Sequence, residues 1–410
     1  MTTFEQFGLP AQLAASLARM NYTTPTPIQA KAIPFAMEGR DILGSAQTGT
    51  GKTAAFAIPM ISKLLNNPRG TALVMTPTRE LASQVLEVVT QLLGKYSPLR
   101  AALLIGGDSM PKQMAELRAR PRIIVGTPGR INDHLERGTL MLHDASFLVL
   151  DETDRMLDMG FGIQIEKIVK FMPQTRQTLL FSATLPTDIV KLSSKYLNNP
   201  ERVSVDNVAK AAPQIVQEVI HLAESEKYGT LVKQIEARDG SIIIFVKTKR
   251  GADRMSERLN KQGVKADTIH GDLHQRKRER VIQSFRDMKF RVLVATDIAA
   301  RGLDIPHIEH VINYDLPQAP EDYIHRIGRT ARNGAEGSAL CLISPDDGLK
   351  WRAIHRLLNP GEPAPVIPGG APRGNSRPGG GSKGGNNNRF QRRPGNSNRR
   401  PSGARKEAVA

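Results

Sequence analysis

The sequence predicts an α/β protein of two parallel-sheet domains in tandem, joined by a short linker and followed by a disordered basic tail rich in Gly, Arg and Asn. Three observations carry this. Short apolar runs alternate with helical patterns from Asp41 to about Val205, and the alternation resumes from Gln214. A glycine-rich loop, Ala46-Gln47-Thr48-Gly49-Thr50-Gly51-Lys52-Thr53, separates an apolar stretch from a helical run. Beyond Pro360 the composition changes to one that cannot bury a core.

The ranges follow: an N-terminal segment 1–40, a first α/β domain 33–205, a linker 206–213, a second α/β domain 214–360 and the tail 361–410. In the preface, Leu9, Leu13, Leu17 and Met20 recur at helical spacing and read as core. Next, Pro25 and Pro27 fix a rigid turn ahead of a helix. The Gln29 amide there can offer a donor and an acceptor together, the complement of an adenine edge. Taken alone, it reads more readily as a polar residue at a helix start.

In the first domain the strand candidates are Ile42-Leu43, Ala72–Met75, Ala101–Ile105, Ile123–Val125, Phe147–Leu150 and Thr178–Phe181. The loop after the first leads into a helix from Ala54 to Leu65. Its glycines let backbone N–H groups turn inward, and the helix N-terminus adds a positive dipole. Lys52 can reach terminal phosphates as a point charge, and the Thr53 hydroxyl can hold magnesium. Ala46 stands where a glycine is usual in this pattern.

Chemistry concentrates at the strand ends. Pro77-Thr78-Arg79 and Thr127-Pro128-Gly129-Arg130 each put hydroxyls and an arginine on a loop, where they can bond phosphate oxygens. Helix capping with a surface arginine explains either loop alone equally well. Asp151 and Glu152 sit together at the tip of an apolar strand. Asp151 can bind Mg²⁺, partly through water, and Glu152 can deprotonate an attacking water. The hydroxyls of Ser182 and Thr184 can bond Glu152 or Asp154 and register hydrolysis, although on their own they read as small turn residues.

The second domain offers strands at Ile242–Val246, Ala266–Ile269, Val292–Ala295, His310–Asn313 and Ala339–Ile343, without a phosphate loop or Asp-Glu pair. Arg326, Arg329 and Arg332 share one helical face, and Arg329 and Arg332 can meet a γ-phosphate if the two sheets close on one nucleotide. A solvated basic face is the other reading. His270 and His274 are loop residues rather than metal ligands, because Gly271 and Asp272 interrupt any helix between them. The lone Cys341 lies in an apolar run and reads as core, which excludes disulfide frameworks and cysteine metal clusters. Trp351 packs on the second domain.

The charge of +17 points to a polyanion, since hydrophobic residues at 40% already supply ordinary cores. Residues 361–410 hold ten Lys/Arg against two Glu, nearly half of that excess, and their Arg-Arg pairs suit loose phosphate binding. A mere solubility tail is the alternative. No apolar run approaches the ~18 residues of a membrane span, so a soluble cytoplasmic protein with no membrane partner is expected.

Together these motifs resemble the DEAD-box family of ATP-dependent RNA helicases in superfamily two, over about residues 1–345. The basic glycine-rich tail is most similar to the bacterial RhlE-type branch. The resemblance implies two RecA-like domains, ATP and Mg²⁺ as cofactors, and RNA as partner through Pro77, Thr78, Arg79, Thr127 and Arg130. It implies that Gln29 reads adenine with an upstream aromatic, Phe4, stacked near the base, and that Gly106-Gly107 is an RNA-contact turn. It further implies RNA or interdomain contacts for Gln275 and Arg278, an RNA phosphate on Thr296, and a ribose on Asp304. Ser182, Thr184, Asp154 and His325 would couple hydrolysis to unwinding. Three positions depart from the pattern: Thr153 for alanine in the name-giving Asp-Glu-Ala-Asp, and Asn21 and Ala331 for glycines. Ribosome or RNA-decay complexes are the expected settings, and a monomer the expected state. The rivals are a DNA translocase of the same superfamily and a non-enzymatic RNA-binding protein.

Deleting residues 361–410 is expected to weaken RNA binding and flatten its salt dependence while sparing the ATPase core. Equal slopes of log affinity against log salt, with and without the tail, would exclude a phosphate-binding tail.

Overall fold

The computed structural model describes residues 3–46, 49–183, 185, 187–205, 215–300, 305, 307–331 and 336–363. The expected linker at 206–213 and nearly all of the tail lie outside the described residues.

The first sheet has seven strands: β1 (Ile42–Ser45), β2 (Thr71–Met75), β3 (Ala101–Leu104), β4 (Ile123–Gly126), β5 (Ala145–Leu150), β6 (Gln177–Ser182) and β7 (Glu201–Ser204). Their spatial order is β3-β4-β2-β5-β6-β1-β7, and every neighbouring pair is parallel. The second sheet has β8 (Ile215–His221), β9 (Ser241–Phe245), β10 (Ala266–Ile269), β11 (Val292–Ala295), β12 (Ile308–Asn313) and β13 (Gly337–Ile343), ordered β10-β11-β9-β12-β13-β8 and again all parallel.

A parallel sheet needs helical crossovers and is therefore covered on both faces, which is why its central strands are continuous apolar runs. Within β2, Ala72 and Val74 join the cluster of Phe56 and Val85, whereas Leu73 and Met75 join that of Ile131 and Ile165 on the opposite face. Likewise β9 sends Ile243 and Phe245 to one side and Ile242 and Ile244 to the other. Two edge strands escaped the sequence reading. Strand β7 is polar with one buried residue, and β8 shows no fully buried residue, so neither has the apolar run of an interior strand.

The preface packs Leu13 and Leu17 of helix Ala11–Arg19 on the first core, while Leu9 and Met20 pack against it from outside the helix ends. Helix Lys52–Asn66 begins two residues before the expected Ala54, directly at the end of the glycine loop. Cys341 is buried, and Trp351 is buried edge-on to Tyr323 at 6.4 Å between ring centroids. His270 lies just past β10, where Nε2 bonds Asp253 Oδ1 at 2.8 Å, and His274 precedes helix Gln275–Arg286.

Gly126 pairs with Leu104 where β3 and β4 end. A Cβ there would lie 2.4 Å from the Leu104 carbonyl oxygen, a backbone atom that cannot step aside. Gly126→Ala should destabilise the first lobe by about 1–3 kcal/mol. The urea midpoint measures this, and an unshifted midpoint would contradict the packing described.

Candidate nucleotide and nucleic-acid sites

The glycine loop follows β1, whose carboxyl end it leaves at Ala46. Gln47 and Thr48 lie outside the described residues. Gly49 and Gly51 have φ of +84° and +91°, a backbone that favours glycine. Lys52 starts the next helix, is buried, and donates from Nζ to the Ala46 carbonyl at 2.8 Å, so its ammonium lies within the loop's own arch. Thr53 is half-buried beside it, and Thr50 completes the turn.

Gln29 is tied to this loop. Its Oε1 accepts from the Thr26 backbone N–H at 2.9 Å, and its Nε2 donates to the Gly51 carbonyl at 3.0 Å. One N–H and one lone pair remain for a ligand. Phe4 is buried, stacked on Tyr22 at 6.0 Å and edge-on to Phe7 at 5.8 Å.

Strand β5 delivers Asp151, whose N–H bonds the Met75 carbonyl at 3.0 Å. Burial pushes the Asp151 carboxyl up to about 6; nearby Lys52 opposes this and Glu152 reinforces it. A cation beside Asp151 would relieve that cost. Glu152 is a buried non-glycine in left-handed backbone, φ +49°, at the start of helix Thr153–Asp158. Asp154 Oδ1 accepts the Arg155 N–H at 3.1 Å. On the neighbouring strand Ser182 is fully buried, and its carbonyl accepts from the Ala46 N–H at 3.1 Å. Thr184 lies outside the described residues.

On the second lobe the shared arginine face does not form. Helix Pro320–Ile327 ends before Arg329, and Arg332 lies outside the described residues. Arg326 serves its own lobe: it grips Asp297 with two bonds of 2.6 and 2.8 Å, reaches Asn313 at 3.0 Å, and lies over the Phe245 ring. It needs no external anion. Arg329 is buried, with Nε donating to the His325 carbonyl at 3.1 Å. Arg329, His325 and Asp322 share a small cavity with Arg155 of the first lobe.

A second cleft, of about 360 Å³, is lined by Pro77, Thr78, Arg79, Thr127 and Arg130 of the first lobe and by Gly271 and Arg278 of the second. Gly107 has φ +80°, and a Cβ on it would meet Arg79 at 2.3 Å and Gln275 at 3.5 Å. Burial lowers the Arg79 pKa; Glu80 opposes this, while Arg278 and Arg130 add to it. Three guanidinium groups thus share one cleft with a single carboxylate, Glu80, which Arg278 holds; Arg79 and Arg130 leave a positive balance that suits an anion. Thr78 does cap its helix, accepting from Leu81 N–H at 3.2 Å, whereas the Thr127 hydroxyl makes no such cap. Gln275 is buried with Oε1 unpartnered. Thr296 is buried just past the end of β11 and is not among the residues lining this cleft, and Asp304 lies outside the described residues.

Arg278, expected to make an RNA or interdomain contact, reaches the other lobe through a partner the sequence did not name, Glu80, and the Arg155 pairing was not anticipated at all. Arg278 Nε donates to Glu80 Oε1 at 2.6 Å, and Arg155 pairs with Asp322. The partners are 198 and 167 residues apart, so no local pattern announces them.

Two family models match: DEAD/DEAH box helicase over residues 26–192, and helicase conserved C-terminal domain over 226–334. A DEAD-box ATP-dependent RNA helicase CshA of Geobacillus kaustophilus is 45% identical across 84% of this chain and 74% of its own. The chain belongs to the DEAD-box family of ATP-dependent RNA helicases. The CshA of Listeria monocytogenes is 46% identical over 84% of this chain and 66% of its own. Among solved structures, S. cerevisiae Dbp5 bound to RNA and ADP BeF3 matches with a TM-score of 0.79 and 33% identity, covering 88% of this chain and 94% of that one. Mss116p bound to ssRNA and AMP-PNP matches at 0.78 and 30%, covering 87% and 77%.

The departures from the DEAD-box pattern fit their places. The fully buried Thr153 satisfies its hydroxyl on the Leu150 carbonyl at 3.2 Å. Asn21 and Ala331 both have positive φ, +57° and +55°, the conformation a glycine would serve. Asparagine tolerates it; alanine does so at some cost.

A Cβ on Gly51 would fall 2.4 Å from Gln29 Nε2, on a backbone already at positive φ. Gly51→Ala should therefore weaken nucleotide affinity roughly tenfold, the equivalent of ~1.4 kcal/mol of strain. Titration with a fluorescent ATP analogue measures it; unaltered affinity would mean the loop and Gln29 are not one unit.

Proposed function

We propose that the two lobes form an RNA-stimulated ATPase that locally unwinds or remodels RNA duplexes. The observation that carries this is the cleft whose arginines come from both lobes, one of which also carries the glycine loop at another strand end of the same sheet. A strand lying in it is a ligand for the closed arrangement alone, so RNA binding and closure are linked.

Each residue then has a task. Lys52 leaves the Ala46 carbonyl for the terminal phosphates, and Gln29 offers its free donor and acceptor to adenine. Asp151 and Thr53 would hold Mg²⁺, partly through water, and that ion would neutralise phosphate charge. Among the described residues no group of three or more His, Cys, Asp or Glu could cage a metal, so phosphate and water must complete its shell. Glu152 takes the proton from water as its oxygen bonds the γ-phosphorus and the bond to ADP breaks. Arg329, joined by Arg332, meets the developing charge from the second lobe. Ser182, Thr184, Asp154 and His325 link these events to the strand held by Pro77–Arg79, Gly107, Thr127, Arg130, Gln275 and Thr296. Contacts to phosphates and 2′-hydroxyls give weak sequence preference.

The proposal extends to a monomer acting in the cytoplasm on ribosomal or decay-bound RNA, of the RhlE-type branch by its tail. In support of a monomer, both half-sites lie in one chain. A DNA translocase and an inert RNA binder are not favoured beside relatives named ATP-dependent RNA helicases.

Phosphate release is the test, measured alone, with RNA and with DNA of matched sequence. RNA alone should stimulate strongly. Glu152→Gln should keep nucleotide binding, trap the RNA complex and lower turnover by about 10²–10⁴. Brisk RNA-free turnover, equal stimulation by DNA, or an active Glu152→Gln protein would each overturn part of this mechanism.

A further inference from the structure

A third cleft lies at the opposite ends of the first-lobe strands. It has a volume of about 880 Å³ and opens beside the amino ends of β2, β4 and β5. Four of its lining residues are arginines, Arg69, Arg118, Arg120 and Arg122, against a single carboxylate, Asp144. Arg122 is structural, donating to the carbonyls of Leu64, Asn67 and Gly70. Asp144 accepts from the Thr71 hydroxyl at 3.2 Å. The guanidinium groups of Arg69, Arg118 and Arg120 are exposed and carry no ion pair or hydrogen bond among the described residues. Arg120 also has φ +50°, where glycine would be the easier residue.

We propose that this cleft is a second RNA-binding site, which takes the single strand flanking the nucleotides held between the lobes. The inference rests on the RNA helicase reading above. Two helices lead from one site to the other: Met110–Arg118 begins next to the Gly106-Gly107 turn, and Pro128–Glu136 begins in the Thr127–Arg130 loop. Both end by the cleft, and each is nine residues long, about 14 Å at ~1.5 Å per residue. About four stacked nucleotides at ~3.4 Å each cover that distance. The volume admits a short stretch of strand. Guanidinium groups suit it twice over, gripping phosphate in pairs of bonds and stacking on bases. The basic tail is excluded as occupant by its like charge.

The test compares the full-length chain with a triple variant, R69A/R118A/R120G, whose glycine suits the backbone it enters. Both proteins keep the tail, so its contribution cancels. Affinities for a uridine hexamer and for an oligouridine of about 20 nucleotides are measured across salt with a non-hydrolysable ATP analogue. The hexamer should bind both proteins equally. The long strand should lose roughly tenfold in affinity and about two in salt slope, the share of three phosphates at ~0.7 each. A second variant, R69K/R118K/R120K, should retain the slope. An unchanged long-strand affinity would overturn the site and leave the cleft to an acidic protein segment. Equal loss on the hexamer would also overturn it, because the effect would then not be confined to the flank. Failure of wild type to bind even the hexamer would instead sink the helicase reading itself.

Discussion

A guanidinium taken out of water must keep its carboxylate, and that constraint governs the junction of the two lobes. Arg278 with Glu80, and Arg155 with Asp322, are buried between elements that share no sheet and no local sequence. Removing charges from water costs about what their mutual attraction returns. Such pairs fix register more than they add stability. When the lobes part, each charge regains its hydration, so neither arrangement is strongly preferred by these contacts alone. A ligand that touches both lobes can then decide the balance.

The same logic explains why chemistry sits at strand ends. A parallel sheet covered on both faces has no room for polar groups along its strands. Its backbone is free to carry them only where the strands stop. Lys52, Asp151 and Glu152 come from two such ends of one sheet, and burial raises the Asp151 pKa despite the opposing charge of Lys52, so a further cation beside it would stabilise the anion. The buried carboxylate and the lysine folded onto its own loop are both poised for a highly charged ligand.

Much of this was legible in the chain. Interior strands appear as apolar runs because both their faces are buried, and the glycine loop is legible because its positive-φ positions favour glycine. The edge strands β7 and β8 were not, because their residues are largely polar or exposed, whereas the other two edges, β3 and β10, keep buried apolar residues and were legible. Three arginines spaced along one segment suggested a common face, yet the helix stops at Ile327 and Arg326 turns inward to Asp297. Spacing gives neighbours on a helix; it cannot say where the helix ends or which arginine has a carboxylate waiting elsewhere in the fold.

The chain has one tryptophan, and it is buried in the second lobe against Tyr323, the residue next to Asp322. Indole emission therefore comes from that lobe alone, from a point two side chains removed from the Arg155 pairing. The molecule carries its own optical gauge of how that half is seated, with no dye attached and no background from the other half.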